Sequence, residues 1–547
     1  MPVKSPARLV PHLAFVAATV GLFAHAHRFD FVCDDAFISL RYAENFARLG
    51  VPVYNPGEHV EGYTNFLFMA LVAVAVKLGA VAVPAVRALG GLSGIALVGG
   101  TLFLLRRVLP ERPWASVPVL GAVACSAPIA AWMLSGLETP LFAALVAFGI
   151  ALAADLSDEL AAPRRAVLAG VVLGLATMTR PEGTLVFGLA FLVAALDAIR
   201  TRDGRIRLVA FAAGYGALVV PFVAWRYHTY GYPFPNTFYL KSSGDPAALR
   251  AQGLAYVEFA ARELGPAFLV LVLFALLVPS PKGAGDASSM RRRAALRTIR
   301  LVVAAYIPYV ISVGGDFLDL YRFFVPLLPL AFVAIAVAFD RFVDGLSHVR
   351  GTALVAFVLS LGLVVLYDLH DYELGSRALL ESEEGRAAHG IEPLGWTKLY
   401  ARRWAAMGRW LRAHASEGDS LAVGAAGAMP YYSGLPNLDT FGLCDSFVAH
   451  HGDLVGTRPG HQRFAPEFYI AERRPTFLLV GTDFTTDAPL PSLPIGRDPR
   501  WESRGYVFVE AHVDAERYGA PRGYYQYLLV DGPRAEALRG RPDVRLP

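Results

Sequence analysis

Long apolar runs recur along the first two thirds of this chain, and nothing else constrains its fold as strongly. They fall near 9–27, 66–83, 85–105, 115–133, 138–154, 166–178, 184–198, 207–225, 266–279, 299–314, 324–339 and 351–367. A helix that crosses a bilayer needs roughly 20 predominantly apolar residues. Only helices and closed barrels satisfy their backbone polar groups within hydrocarbon. Runs of this length therefore predict a polytopic α-helical membrane protein. Of the 547 residues only 18% are charged, against about 25% in soluble domains. The net charge of +4 argues against a general role on nucleic acid.

Lys/Arg asymmetry predicts the orientation. The segment 279–300 holds Lys282, Arg291, Arg292, Arg293, Arg297 and Arg300, which marks it as cytoplasmic. The segments 200–207 and 340–350 agree. Residues 226–265, 314–323 and everything after 367 are then external. The first run follows Lys4 and Arg8 and reads as a retained span, which places Asp34 and Asp35 outside too. Twelve crossings cannot join a cytoplasmic start to an external end. The expectation is an odd number, about eleven, with one run between 66 and 154 failing to cross or one crossing missed.

After Tyr367 the composition becomes that of a soluble domain. The division drawn here is a membrane module over 1–367, with a first external loop at about 28–65, and an extracytoplasmic α/β domain over 368–547. An amphipathic helix over 396–415, with Trp396, Trp404 and Trp410, is expected to lie on the membrane surface. Strand-like runs follow at 420–426, 476–481, 505–513 and 524–532. PSPKGAGDASSMRRR reads as a flexible connector. Cys125 reads as packing, and a disulfide between Cys33 and Cys444 is a minority expectation.

Charged groups cluster at the external ends of the runs. The adjacent Asp34 and Asp35 cannot lie in hydrocarbon; they suit general-base or metal chemistry or, more simply, cap a helix starting near Ala36. Arg41, Glu58, Glu61, Tyr63 and Asn65 follow, around a turn supplied by Asn55, Pro56 and Gly57. Glu138 opens an apolar run, where it either serves the site or complements a helix dipole. Arg180 and Glu182 share a short turn, as anion site or structural ion pair. Arg226, His228, Asn236 and Lys241 sit among tyrosines and prolines, a mixture that suits a phosphate with a lipid or sugar face or an interfacial aromatic belt. Asp316, Asp319 and Arg322 mark another external mouth. Together these groups predict one external cavity for a lipid-phosphate substrate and a hydroxyl acceptor. Asp439, His450, His451 and His461 stand out in the late segment, whose histidine spacing favours an acceptor-side loop over a metal site.

The phrases DDAFISLRYAENFARLGVPVYNPGEHVEGYTNFLF, SGLETPLF, TRPEG, PFPNTFYLK, GGDFLDLYRFFVPLLPL and AAGAMPYYSGLPNLDTFGL, in that order, resemble bacterial GT-C membrane glycosyltransferases. The similarity points to the group containing the mycobacterial terminal arabinofuranosyltransferases. It implies a bacterial inner-membrane enzyme that moves a sugar, arabinofuranose in that group, from a polyprenyl-phosphate donor to a cell-envelope glycan or glycolipid. Its implied mechanism is single displacement with an aspartate base in the first loop. Carried onto this chain, the base is Asp34 or Asp35. Arg180, Lys241 and Arg322 are candidates for the donor phosphate. Arg41, Glu58, Glu61, Tyr63, Asn65, Glu138, Glu182, His228, Asn236, Asp316 and His461 are candidates for other substrate contacts. No cofactor is required, and a divalent cation (Mg or Mn) on Asp34 or Asp35 is left open. The alternatives are a lipid-linked oligosaccharide ligase or polymerase, and a transporter of envelope precursors.

Overall fold

The computed structural model describes residues 8–158, 162–242, 244–278, 287–345, 352–380, 391–479, 485–491 and 499–547. Lys282, residues 346–350 and the margins of the 351–367 and 476–481 runs lie outside them. Among the described residues, seven helices are long and apolar enough to cross a membrane. They are Val10–His27, Ala82–Val108, Thr139–Ser157, Arg202–Tyr230, Pro246–Leu277, Ser289–Ser312 and Arg322–Asp344, and the chain is a multi-pass membrane protein.

Two weaker elements lie in the stretch where the crossing count was out of phase. The 66–83 run folds as Phe66–Lys77. Twelve residues at 1.5 Å each reach about 18 Å, short of a hydrocarbon core about 30 Å thick. The 115–133 run breaks by 59° between Pro113–Cys125 and Ala127–Met133. The last apolar helix runs on to Leu380, so the change of composition at Tyr367 falls within it. The connector is shorter than its composition suggests, because the chain is already helical from Ala287.

The C-terminal domain is built as the strand-like runs predict. Its mixed sheet runs, edge to edge, through Asn437–Leu438, Leu421–Ala422, Phe477–Leu478, Tyr524–Asp531, Tyr506–Val513 and Val544–Arg545. Leu421–Ala422 pairs in parallel with both neighbours, and the other pairings are antiparallel. The predicted surface helix corrects to Leu394–His414, which packs one face on this sheet. Trp410 is fully buried there among Leu421, Phe477 and Val509. Burying an indole against the sheet removes more apolar surface from water than a position at the interface would.

The domain is bonded to the first loop. Arg41 donates to the carbonyls of Tyr54 (2.8 Å), Pro430 (2.8 Å) and Leu435 (2.8 Å) and to Asn55 Oδ1 (3.0 Å). Asn55 also donates to the Asn437 carbonyl and accepts from its N–H. Asn236 Nδ2 reaches the carbonyls of Gly442, Leu443 and Asp445. All three cysteines are free thiols, so Cys33 and Cys444 do not pair.

Candidate active site

The helix Asp34–Leu49 begins at Asp34, with Cys33 as N-cap and no side-chain cap bond. The aspartates occupy its first turn, where the helix dipole favours negative charge, and capping does not account for them. Asp34 Oδ1 accepts the Ala428 N–H at 2.7 Å, from the start of the domain helix Ala428–Ser433. The approach is close enough that a Cβ on Gly427 would fall 2.4 Å from Asp34 Oδ2. Burial pushes Asp34 up to about 7 against the opposing N–H of Ala428.

Asp35, one residue on, is rotated about 100° around the helix. Among the described residues its carboxylate makes no hydrogen bond or ion pair, and it lines a cavity of about 200 Å³. Burial raises its pKa, and Arg322 and Lys241 oppose the rise.

The same cavity gathers groups far apart in sequence. Arg180, Lys241, Arg322, Glu138, Tyr63, Asn65 and His461 all line it with the two aspartates. Each arrives from a helix end or a turn, where a polar side chain leaves the bilayer. The cations differ in how far they are committed. Arg180 is the most committed: Nη1 lies 2.9 Å from Glu138 and Nη2 lies 2.7 Å from Glu182, to which Nε also donates. Glu138 also accepts a hydrogen bond from Asn65 Nδ2, and the Asn65 Oδ1 accepts from Ser39. Arg322 holds Asp316 through Nε at 2.7 Å and lies over the rings of Trp132 and Phe323. Lys241 has no ammonium contact among the described residues, and burial lowers its pKa against the pull of Asp316 and Asp35. Lys241 and the remaining N–H groups of Arg322 are therefore the donors open to an anion.

Other predicted site residues sit outside the cavity lining. Arg41 and Asn236 hold the domain to the loop. Glu58 pairs with Arg473 at 3.4 Å, and Glu61 with Arg226 at 2.9 Å. Burial raises Glu61 to about 7 despite that partner. Glu182 and Asp316 stand behind the two arginines, so the structural reading of the Arg180–Glu182 turn holds. His228 is exposed on the last turn of Arg202–Tyr230. Asp319 accepts the Leu394 N–H at 3.1 Å and so anchors the domain helix. Asp439 is pushed by burial up to about 7 and gathers the N–H groups of Phe441, Gly442 and Cys444. This turn carries Phe441 and Leu443 into the cavity wall.

Sequence reasoning expected the C-terminal domain to cap the site and named His461 on it, but not the other residues of this wall. Glu392 and Arg458 form an ion pair at 2.6 Å on it. Tyr400, Trp404 and the backbone of Gly424–Ala426 complete it. Arg458 sits inside the histidine segment already singled out, and Trp404 inside the tryptophan stripe. Among the described residues no three His, Cys, Asp or Glu side chains gather as a metal site. The carboxylates here face arginines, a lysine or backbone N–H groups.

Residues 395–529 match a family model described as a domain of unknown function, DUF8728. The chain is 31% identical over 239 residues to the terminal beta-(1->2)-arabinofuranosyltransferase of Mycobacterium tuberculosis; the match spans 42% of this chain and 37% of that relative. Among solved structures, ArnT from Cupriavidus metallidurans in the apo state aligns with a TM-score of 0.55 at 15% identity, over 95% of this chain and 98% of its own. The apo oligosaccharyltransferase of Archaeoglobus fulgidus aligns with a TM-score of 0.53 at 12% identity, over 96% of this chain and 74% of its own. The chain has the fold of the GT-C membrane glycosyltransferases, with a small α/β domain at its C-terminus.

Proposed function

We propose that the chain is a membrane glycosyltransferase that moves a sugar, with arabinofuranose the leading candidate, from a polyprenyl-phosphate donor to a hydroxyl of a cell-envelope glycan or glycolipid. One observation carries the reading: in a GT-C fold, one cavity brings together a half-buried aspartate pair and two incompletely committed cations. The 31% identity to an arabinofuranosyltransferase supports the choice of sugar. The Lys/Arg asymmetry supports placing the cavity and the C-terminal domain on the extracytoplasmic face.

In this reading the donor phosphate lies against Lys241 and Arg322. Single displacement needs the attacking hydroxyl on the far side of the anomeric carbon from the leaving phosphate. Of the two aspartates, Asp35 is the one coupled to those two cations, so it stands on the phosphate side and, with Asp316, helps keep them charged. Asp34 stands on the side of the C-terminal domain. Its carboxylate is fixed by the backbone N–H groups of Ala428 and Gly427, and its remaining lone pairs take the substrate proton. A base with a pKa near the working pH is the efficient choice, and Asp34 meets that condition. The acceptor oxygen bonds to the anomeric carbon as the carbon–oxygen bond to phosphate breaks, and Asp34 takes the hydroxyl proton. The lipid phosphate leaves with the bonding electron pair, and the anomeric configuration inverts. Positioning and charge supply most of the rate.

The test uses the full chain in lipid nanodiscs with a panel of polyprenyl-phosphate sugars, read by donor binding in native mass spectrometry and by release of lipid phosphate. Binding and release with one donor support the transferase. A protein that binds none of them overturns it and favours transport or scaffolding.

A further inference from the structure

Lys241 faces the cavity with an ammonium that makes no contact among the described residues. A lysine side chain carries about 2 kcal/mol of rotamer entropy, part of which a bound phosphate must remove. Whatever holds its backbone and stem beforehand therefore adds to the affinity for that phosphate. Lys241 ends the short helix Asn236–Lys241, whose first residue the C-terminal domain already holds through three carbonyls.

The same domain holds the last residue of that helix from a different segment. Gln462 is fully buried. Its Nε2 donates to the Lys241 carbonyl at 3.2 Å, and its Oε1 accepts the Gly460 N–H at 2.7 Å. An amide serves both because it carries a donor and an acceptor side by side, which neither a carboxylate nor an apolar side chain offers. Gly460 lies against the lysine stem: a Cβ there would stand 3.9 Å from Lys241 Cε, and its φ of +82° suits glycine. The turn that carries both residues is itself braced. Arg458 Nη2 lies 2.6 Å from Glu392, with its guanidinium 4.4 Å from the centre of the Phe317 ring. His461 meets the rings of Phe441 and Phe317 edge-on, and the Val455 N–H donates to the Gln462 carbonyl.

We propose that Gln462 is a positioning residue for the donor phosphate. It acts through Lys241, fixing that residue's carbonyl and, with Gly460, its stem, so that the C-terminal domain builds part of the donor side of the cavity. This rests on the reading that a polyprenyl phosphate lies against Lys241. The test uses the full chain in nanodiscs with a sugar-free polyprenyl monophosphate as probe, its affinity read by native mass spectrometry.

Gln462→Met keeps the volume and removes both bonds. It should weaken binding about three- to tenfold, the net contribution of one hydrogen bond. Gly460→Ala, strained at that φ, should act in the same direction and serves where Gln462→Met does not fold. In a Lys241→Met background neither change should alter affinity by more than about twofold, because the group they position is gone. A merely structural loss would weaken the double variants as much as the single ones, and that result overturns the proposal. Binding that depends on Lys241 but not on Gln462 also overturns it, and leaves the donor reading standing. A wild type that binds no polyprenyl phosphate overturns the donor reading and this proposal together.

Discussion

The two ends of the membrane bundle treat charge in opposite ways. The helix Thr139–Ala153 links them, with Glu138 at one end and Asp155 just past the other, about 26 Å apart at 1.5 Å per residue. At the far end, Asp155 is itself buried but its partners Arg107, Arg165 and Arg291 are partly exposed, and Arg112 pairs with Asp340 and Asp344 while half exposed itself. At the cavity end, Arg180 and Arg322 keep only 9% and 10% of their side-chain surface. Pairs near water contribute about 0–1 kcal/mol and are replaceable. Buried pairs gain little over apolar packing, yet breaking one is expensive. A charge cluster kept in the costly environment is therefore a candidate for function, whereas the far end needs only solubility and orientation.

The largest contrast should come from Asp34. Asp34→Asn keeps an oxygen for the Ala428 N–H, so the fold survives, while transfer should fall about a hundred- to ten-thousandfold, the range of a general base. The matching change at the far end, Asp344→Asn, should leave the rate within twofold. Release of lipid phosphate under saturating donor measures both.

Next in size is stability. Glu138→Gln leaves Arg180 short of one buried partner and should cost about 3 kcal/mol, seen as a lower Tm in nanodiscs. Loss of the exposed Arg112–Asp344 pair should cost under about 1 kcal/mol. Equal losses at both ends would dissolve the distinction drawn between them.

Donor affinity should change by less. Lys241→Met removes one charge-assisted contact, worth about 1.5–3 kcal/mol, and should raise the donor KM about ten- to a hundredfold. Arg112→Gln should not move it.

The smallest and sharpest effect is in pH. Burial holds Asp34 protonated below about pH 7, so the rate should rise with pH through an acid limb near 7, well above the usual carboxylate range. The same shift bears on stability. A raised folded pKa means the folded state binds more protons between about 3.8 and 7, and stability falls as pH rises across that window. Asp34→Asn should therefore gain stability over the wild type as pH rises across the same window, which melting curves at pH 5 and pH 8 would show.

The sequence made much of this legible, for physical reasons. Apolar runs, turn residues and Lys/Arg asymmetry are local properties, so the helical membrane architecture and the clustering of Asp34, Asp35, Arg180, Lys241 and Arg322 could be anticipated. Commitments between distant residues could not. Arg41 and Arg180 look alike on paper, yet one holds backbone carbonyls across the domain junction and the other takes two glutamates. Trp396, Trp404 and Trp410 lie in one amphipathic segment that suggested a membrane surface. The sheet that buries Trp410 draws strands from 11 to about a hundred residues away, and the cavity that meets Trp404 draws residues from Cys33 to His461, beyond the reach of any local pattern.

The most direct measurement compares wild type and Asp34→Asn, in the same nanodiscs and with a donor both bind, for release of lipid phosphate in the presence of a glycan acceptor. The account predicts equal donor binding and a rate at least a hundredfold lower in the variant. Equal rates would contradict it and remove Asp34 from the reaction.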